Sequence, residues 1–578
     1  MARKNRMSGE TENSLKARLF DSFELRGLSV NAARAFSSGK AAKMLRYVLR
    51  LLAFTPTRVY ACASLSFGLL TLVLHLGEYY FKNDALAEPS SLIIGAAFSF
   101  LSVLLFISDK PLCIALQSSR ITDFIFFEFF SMSRMQKNES EKSLPLMSGI
   151  VFGFVLAVLG FFVPLYYVSL SVGALIFVFV SMTSPEFPYI SSILLFPYLN
   201  VIPYSSWILA SISLLALVSF LRKVAVGKRV YNVEIYDILF FFFILSVLLT
   251  GVILGGRAST EPALLIIIFT LGYVPAANIA ANRRLCDCIV SAIALSSAPT
   301  SVFAVISYAV NWGRGVRRPS SAWFLSSEML AVYLSVSVLF SIYLAVERKK
   351  KTKKISYFVS FLLSLAGLIT TEYFALVIAL VIGVCMFFVI RSKKTPKLLV
   401  LPLLLLPFAV YLLPESVLLW ISEFFGISPD LISLRSALLK SASTFFDNIF
   451  LGIGANGFGA NINTYFGIAC RFGILAVVVC LAVFLIRILH VGVYRKYYPN
   501  ALVGFYVDMT SLAMLIMLVI GSYTDVISEI SAAYFFVVIF GLGTAALRIS
   551  KKERDQMLSY YKDSRSQSAS VIDVFLKG

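Results

Sequence analysis

From about residue 60 to residue 547 the chain is a succession of apolar stretches near twenty residues long, separated by short polar links. A helix rises about 1.5 Å per residue, so about 20 apolar residues cross a hydrocarbon layer roughly 30 Å thick. No water reaches that layer, so each crossing segment must satisfy its own backbone N–H and C=O groups. Runs of this length therefore predict one kind of fold, an all-α bundle of transmembrane helices. They fall near 59–78, 90–107, 147–164, 167–184, 204–221, 235–255, 262–279, 287–309, 326–346, 355–371, 373–391, 397–413, 465–487, 505–523 and 529–548. The stretch 189–203 is short and flanked by proline, and reads as one more crossing or as a re-entrant piece.

Composition agrees. Of 578 residues, 59% are hydrophobic and 14% charged, against about 45–50% and roughly 25% in soluble domains. The net charge of +20, from 51 basic and 31 acidic side chains, would suggest nucleic acid in a soluble protein. Here the basic residues flank apolar runs and no nucleic-acid motif accompanies them, so they read as topology signals and no nucleic-acid partner is expected. The seven cysteines are scattered, and only Cys286 and Cys288 stand close together. No second pair completes a four-ligand site, so no metal is expected.

Basic links sort the crossings. Arg222, Lys223, Lys228 and Arg229 form one cluster; Arg348, Lys349, Lys350, Lys351, Lys353 and Lys354 a second; Arg391, Lys393, Lys394 and Lys397 a third. Arg487, Arg495 and Lys496 follow, then Arg548, Lys551, Lys552 and Arg554. All fall on one side if 189–203 also crosses, which predicts roughly 14–16 helices with both termini in the cytoplasm. The expected organisation is a basic tail (1–57), an extra transmembrane pair with a cytoplasmic linker (58–146), a transmembrane core (147–548) with a long outer loop (414–464), and a second tail (549–578). The first apolar run starts near Tyr60 and is expected to stay as a helix. Residues 41–54 are suited to lie as an amphipathic helix on anionic lipid.

Two outer loops break the charge rule. The loop 311–325 carries Arg314, Arg317 and Arg318, and the loop 414–464 carries Arg435 and Lys440. Arg257 is a smaller exception, and Arg471 sits inside an apolar run, placed either to snorkel outward or to line a cavity. A guanidinium offers a planar fork that stays charged and binds phosphate oxygens bidentately. Arginines at headgroup depth therefore suit a pyrophosphate; the plainer use is binding lipid headgroups or pairing with Asp and Glu. Within the long loop, Leu431, Leu434, Leu438 and Leu439 recur at helical spacing, predicting a helix on the outer surface. Gly452, Gly454, Gly457 and Gly459 then permit tight turns or close approach. No βαβ pattern surrounds them, so a dinucleotide fingerprint is excluded.

The order Arg435, then Asp447-Asn448-Ile449-Phe450-Leu451-Gly452-Ile453-Gly454 and Phe458, resembles the signature of the O-antigen ligase and O-antigen polymerase family. The helix FGIACRFGILAVVVCLAVFL that follows, and the upstream RRPSSAWFLSSEMLAVYLSVS, resemble two further family segments. The resemblance spans about residues 150–545. It implies a GT-C-like membrane glycosyltransferase acting on undecaprenyl-pyrophosphate-linked glycan at the outer face of the bacterial cytoplasmic membrane. Such an enzyme moves the glycan to an acceptor glycan or lipid and uses no cofactor. The implied pyrophosphate ligands are Arg314, Arg317, Arg318, Arg435 and Lys440, with Arg257 and Arg471 as further members. Glu372, placed at the outer end of two helices, is the candidate catalytic base; its plainer role is a polar cap in a helix–helix turn. The ligase branch carries a His where this chain reads Ala460-Asn461-Ile462-Asn463, and Glu372 stands where the family carries an Arg. These departures favour a polymerase over a ligase. Two other classes compete: a lipid-linked sugar transporter or flippase, and a non-catalytic component of polysaccharide assembly.

Overall fold

The fold is seen in a computed structural model that describes residues 23–25, 40–82, 89–130, 132, 134, 143–198, 204–254, 256–315, 318–348, 350–373, 375–392, 399–425, 431–455, 463–497, 504–525 and 530–577. The described residues are 84% helical, an all-α polytopic bundle. Among the described residues nine helices are long and apolar enough to cross a membrane, and five shorter apolar helices accompany them. The one strand pair described, Phe23–Leu25 against Tyr231–Val233, is antiparallel with Glu24 opposite Asn232. Expectations on Arg317, Lys349, Lys393, Lys394, Lys397, Gly457, Gly459 and Phe458 lie outside the described residues.

The chain forms two compact units, one of residues 26–188 and 218–229, the other of residues 1–25, 189–217 and 230–578. In the first, the helices Thr57–Lys82, Pro89–Phe106 and Leu146–Phe162 pack through small residues. Gly149, Gly153, Ala157 and Gly160 line one buried face of Leu146–Phe162 at helical spacing. A β-carbon at Gly149 or Gly153 would run into the backbone of Val59 or Ala63. Close backbone approach of this kind replaces the hydrophobic drive that lipid cannot supply. The helix Lys40–Phe54 is strongly amphipathic, as its sequence predicts, with Met44 and Tyr47 exposed beside Lys43 and Arg50.

The second unit is built around Ser327–Glu347 and the first half of Ile530–Lys577, both mostly buried. Polar side chains on buried faces bond across helices. Ser296 meets Tyr333 at 2.7 Å, Ser297 meets Ser364 at 2.9 Å, and Tyr357 donates to Ser291 at 2.9 Å. Capping residues mark where helices begin: Asn282 accepts from Leu285 N at 3.0 Å, and Ser326 from Met329 N at 3.2 Å. At one corner Arg548 is held by Glu234 (2.8 and 2.9 Å), by the Asn278 side chain (2.9 Å) and by the Ala277 carbonyl (3.1 Å).

Two predicted crossings are shaped differently. The run 262–279 is two helices, Gly256–Leu271 and Tyr273–Ile279, jointed at Gly272. The run 465–487 belongs to a longer helix, Thr464–Tyr497, that is broken at Gly473. Hydrophobic periodicity reports burial and length; it is blind to a single residue leaving helical geometry.

Candidate functional site

The break at Gly473 organises the site. Gly473 has φ 76° and ψ −177°, a region open in practice to glycine alone. Leaving the helix there frees backbone groups that would be ruinous in an apolar bundle. Each is met by another segment. The Cys470 carbonyl accepts from Ile453 N at 2.8 Å, and the Arg471 carbonyl from Gly454 N at 3.1 Å. The Phe472 carbonyl accepts from Ser246 Oγ at 3.1 Å. Ile474 N donates to the Ile449 carbonyl at 2.8 Å. The glycine-rich loop is thus a strap along the break. Its own glycines are required: a β-carbon on Gly452 would meet the Arg471 carbonyl, and one on Gly473 the Phe450 carbonyl.

Arg471 lies two residues before this break and is 5% exposed. It neither snorkels nor stands alone: its guanidinium bonds Asp525 Oδ2 at 2.7 Å, and Asp525 is itself 4% exposed. A buried charge persists only when paired and hydrogen-bonded. Gly467 leaves the space in which Asp525 sits.

Hydrogen bonds run from this pair through the sequence-predicted residues. The loop of Asp525 is tied to the start of the broken helix by Thr464 N to the Gly521 carbonyl (2.8 Å) and Thr464 Oγ1 to the Thr524 carbonyl (2.9 Å). Thr524 Oγ1 bonds the Tyr373 hydroxyl, next to Glu372. Glu372 is exposed, has φ 48°, and accepts from the Tyr308 hydroxyl at 2.7 Å. One step upstream, the Thr370 carbonyl accepts from Ser320 N at 2.9 Å, and Ser320 Oγ meets Ser307 Oγ at 2.8 Å. This fastens the loop of Arg314 and Arg318, both exposed, beside the Glu372 turn.

On the other side of the break, Cys470 Sγ donates to the Ser441 carbonyl at 3.2 Å. Ser441 belongs to the helix Leu431–Asp447, which the leucine spacing predicts. That contact seats exposed Lys440 near the break, while half-buried Arg435 reaches the Leu413 carbonyl at 3.5 Å. Ala455 N, at the end of the strap, donates to Ser259 Oγ, two residues beyond Arg257. Only the backbone of Arg257 is described, within Gly256–Leu271. The segments that carry Arg314 and Arg318, Glu372, Lys440 and Arg471 are therefore joined by hydrogen bonds, and Arg435 lies on the same helix as Lys440.

Three tyrosines lie in this region, Tyr411 buried and Tyr373 and Tyr523 half-buried. An apolar cavity of about 140 Å3, walled by Phe243, Ile468, Met517 and Phe536, reaches Thr464 and Gly521, which also belong to the polar region.

Reasoning from sequence missed Asp525 as a partner, Ser259, the tyrosines, and the break itself. One signal was available. Arg471 lies in an apolar run and needs an acid, and the loop after 520 supplies few.

Fold and site together define a polytopic α-helical membrane protein with a polar region strapped over a broken helix. No family model matches the chain. A search of the curated proteins finds no match either.

Proposed function

We propose that the chain is a membrane glycosyltransferase that polymerises undecaprenyl-pyrophosphate-linked oligosaccharide at the outer face of the bacterial cytoplasmic membrane. One observation carries this reading: four cations on two segments (Arg314 with Arg318, and Arg435 with Lys440) and a carboxylate (Glu372) lie on segments joined by hydrogen bonds, and an apolar cavity reaches that region. A lipid-borne diphosphate has the matching two parts, an anionic head and a hydrocarbon tail. The motif around Arg435, which resembles the O-antigen polymerase signature, supports the same reading.

In this scheme Arg314, Arg318, Arg435 and Lys440 hold the diphosphate, with Arg317 in the loop of Arg318 and Arg257 on the helix Gly256–Leu271 as further members. Their charge stabilises the pyrophosphate as the bond to the sugar's anomeric carbon breaks. An acceptor hydroxyl forms the new bond to that carbon, and Glu372 takes its proton. The Tyr308 hydroxyl, donating to Glu372, orients that carboxylate. Arg471 acts differently from the exposed arginines. Its guanidinium pairs with Asp525, and its carbonyl takes the strap's Gly454 N–H.

The test is Arg435→Ala in producing cells, with Arg435→Lys beside it. Lipid-linked units should accumulate and polymer should disappear in the alanine variant. Unchanged polymer would exclude the phosphate clamp.

A second reading, a carrier of lipid-linked sugars, is favoured by a different observation. Arg487 lies in the same broken helix, is 2% exposed, and donates to Thr544 Oγ1 at 3.3 Å. Charges buried at depth in a bundle commonly line transport paths. A carrier variant would instead leave its substrate on the cytoplasmic leaflet.

A further inference from the structure

A second cleft, apart from the cations, is lined by Tyr204, Trp207, Thr260, Glu261 and Leu264. Neither the charge pattern nor the family resemblance points to it. Tyr204 is 80% exposed and holds φ 61°, a left-handed backbone that a tyrosine adopts only under constraint. Its carbonyl caps the helix Ser205–Ala225, accepting from Trp207 N at 3.0 Å and Ile208 N at 3.1 Å. Tyr204 and Trp207 are one turn apart, so both rings stand at the same helix end.

Trp207 Nε1 donates to Glu261 Oε1 at 2.7 Å. This bond fixes the indole plane and the carboxylate together. One indole N–H occupies a fraction of a carboxylate's acceptor capacity, which is about four lone-pair sites. The rest stays on an exposed residue that lines the cleft. Glu261 follows Ser259 by two residues, and Ser259 Oγ receives the strap's Ala455 N–H. The cleft and the polar region are therefore joined through one helix start.

We propose that this cleft binds a sugar ring of the glycan. The inference rests on the glycosyltransferase reading and names where its carbohydrate docks. The C–H faces of a pyranose are apolar and match an aromatic ring. Its edge carries hydroxyl donors in pairs, which match a carboxylate beside that ring. Thr260 adds a hydroxyl and Leu264 a small apolar wall. Few polar groups placed among aromatic surfaces are what orients a small ligand. An organic cation is the competing ligand, since aromatic faces and a carboxylate also attract quaternary ammonium. The open, one-sided cleft favours the flat ring, because a cation gains most when faces enclose it.

The experiment uses the full-length chain in detergent micelles and saturation-transfer NMR. The probes are methyl glycosides of glucose, galactose, mannose, rhamnose and N-acetylglucosamine, with tetramethylammonium alongside. At least one glycoside should receive saturation on its ring C–H protons. Trp207→Ala and Tyr204→Ala should each weaken it by about tenfold or more, roughly 1.4 kcal/mol. Tyr204 is exposed, so its variant keeps the test alive if Trp207→Ala misfolds. Gly77→Ala, whose added β-carbon meets nothing within 4 Å, should leave glycoside binding unchanged. Silence across the whole panel overturns the proposal. So does a tetramethylammonium signal that Glu261→Gln abolishes while no glycoside responds. If glycosides bind but Arg435→Ala cells still make polymer, the cleft stands and the phosphate clamp falls.

Discussion

Gly473→Ala is the sharpest test of the broken helix. The residue sits at φ 76°, ψ −177°, where a non-glycine residue costs about 1–3 kcal/mol. The added β-carbon also points at the Phe450 carbonyl, so the strap must shift. The bond most directly at risk is Ile474 N to the Ile449 carbonyl, 2.8 Å long, and one such bond contributes about 1 kcal/mol. Taking about 2 for the backbone and about 1 for the bond, the docked strap loses roughly 3 kcal/mol, or about 150-fold in its docking equilibrium. Cys470 reports on this directly. It is fully buried, and its thiol donates to Ser441 in the docked state. In a chain whose other cysteines are replaced by alanine, maleimide should label Cys470 about 150-fold faster after Gly473→Ala, provided opening is fast relative to labelling. Gly77→Ala is the control, since its β-carbon meets nothing within 4 Å. Equal labelling rates in the two variants would refute the claim that the strap and the glycine break support each other.

The buried ion pair makes a second prediction. Arg471→Ala alone should cost about 3–5 kcal/mol by leaving Asp525 without its charge partner, and Arg471→Met with Asp525→Leu should recover a large part of it in thermal melts; equal losses in the single and double variants would deny the pairing.

The sequence by itself determined the class of fold. Apolar runs of bilayer length allow the backbone one solution, and composition and basic links agree with it. It also drew attention to Arg435, Lys440, Arg314 and Arg318, because charge between apolar runs is conspicuous, and to Glu372 in a short link between two of them. The helix Leu431–Asp447 was legible for the same reason, its leucines repeating at helical spacing. What only the tertiary structure decided is which of these residues meet. Asp525 lies 54 positions from Arg471, and Ser259 lies 196 from Ala455; no local pattern encodes a bond across such separations. Gly473 looked like one small residue in an apolar run. Its role appeared only when the strap's N–H groups and Ser246 were seen to take up the freed carbonyls. Local sequence sets what each segment must hide from lipid, while the partner that satisfies a buried charge or carbonyl is chosen by the packing of the whole unit.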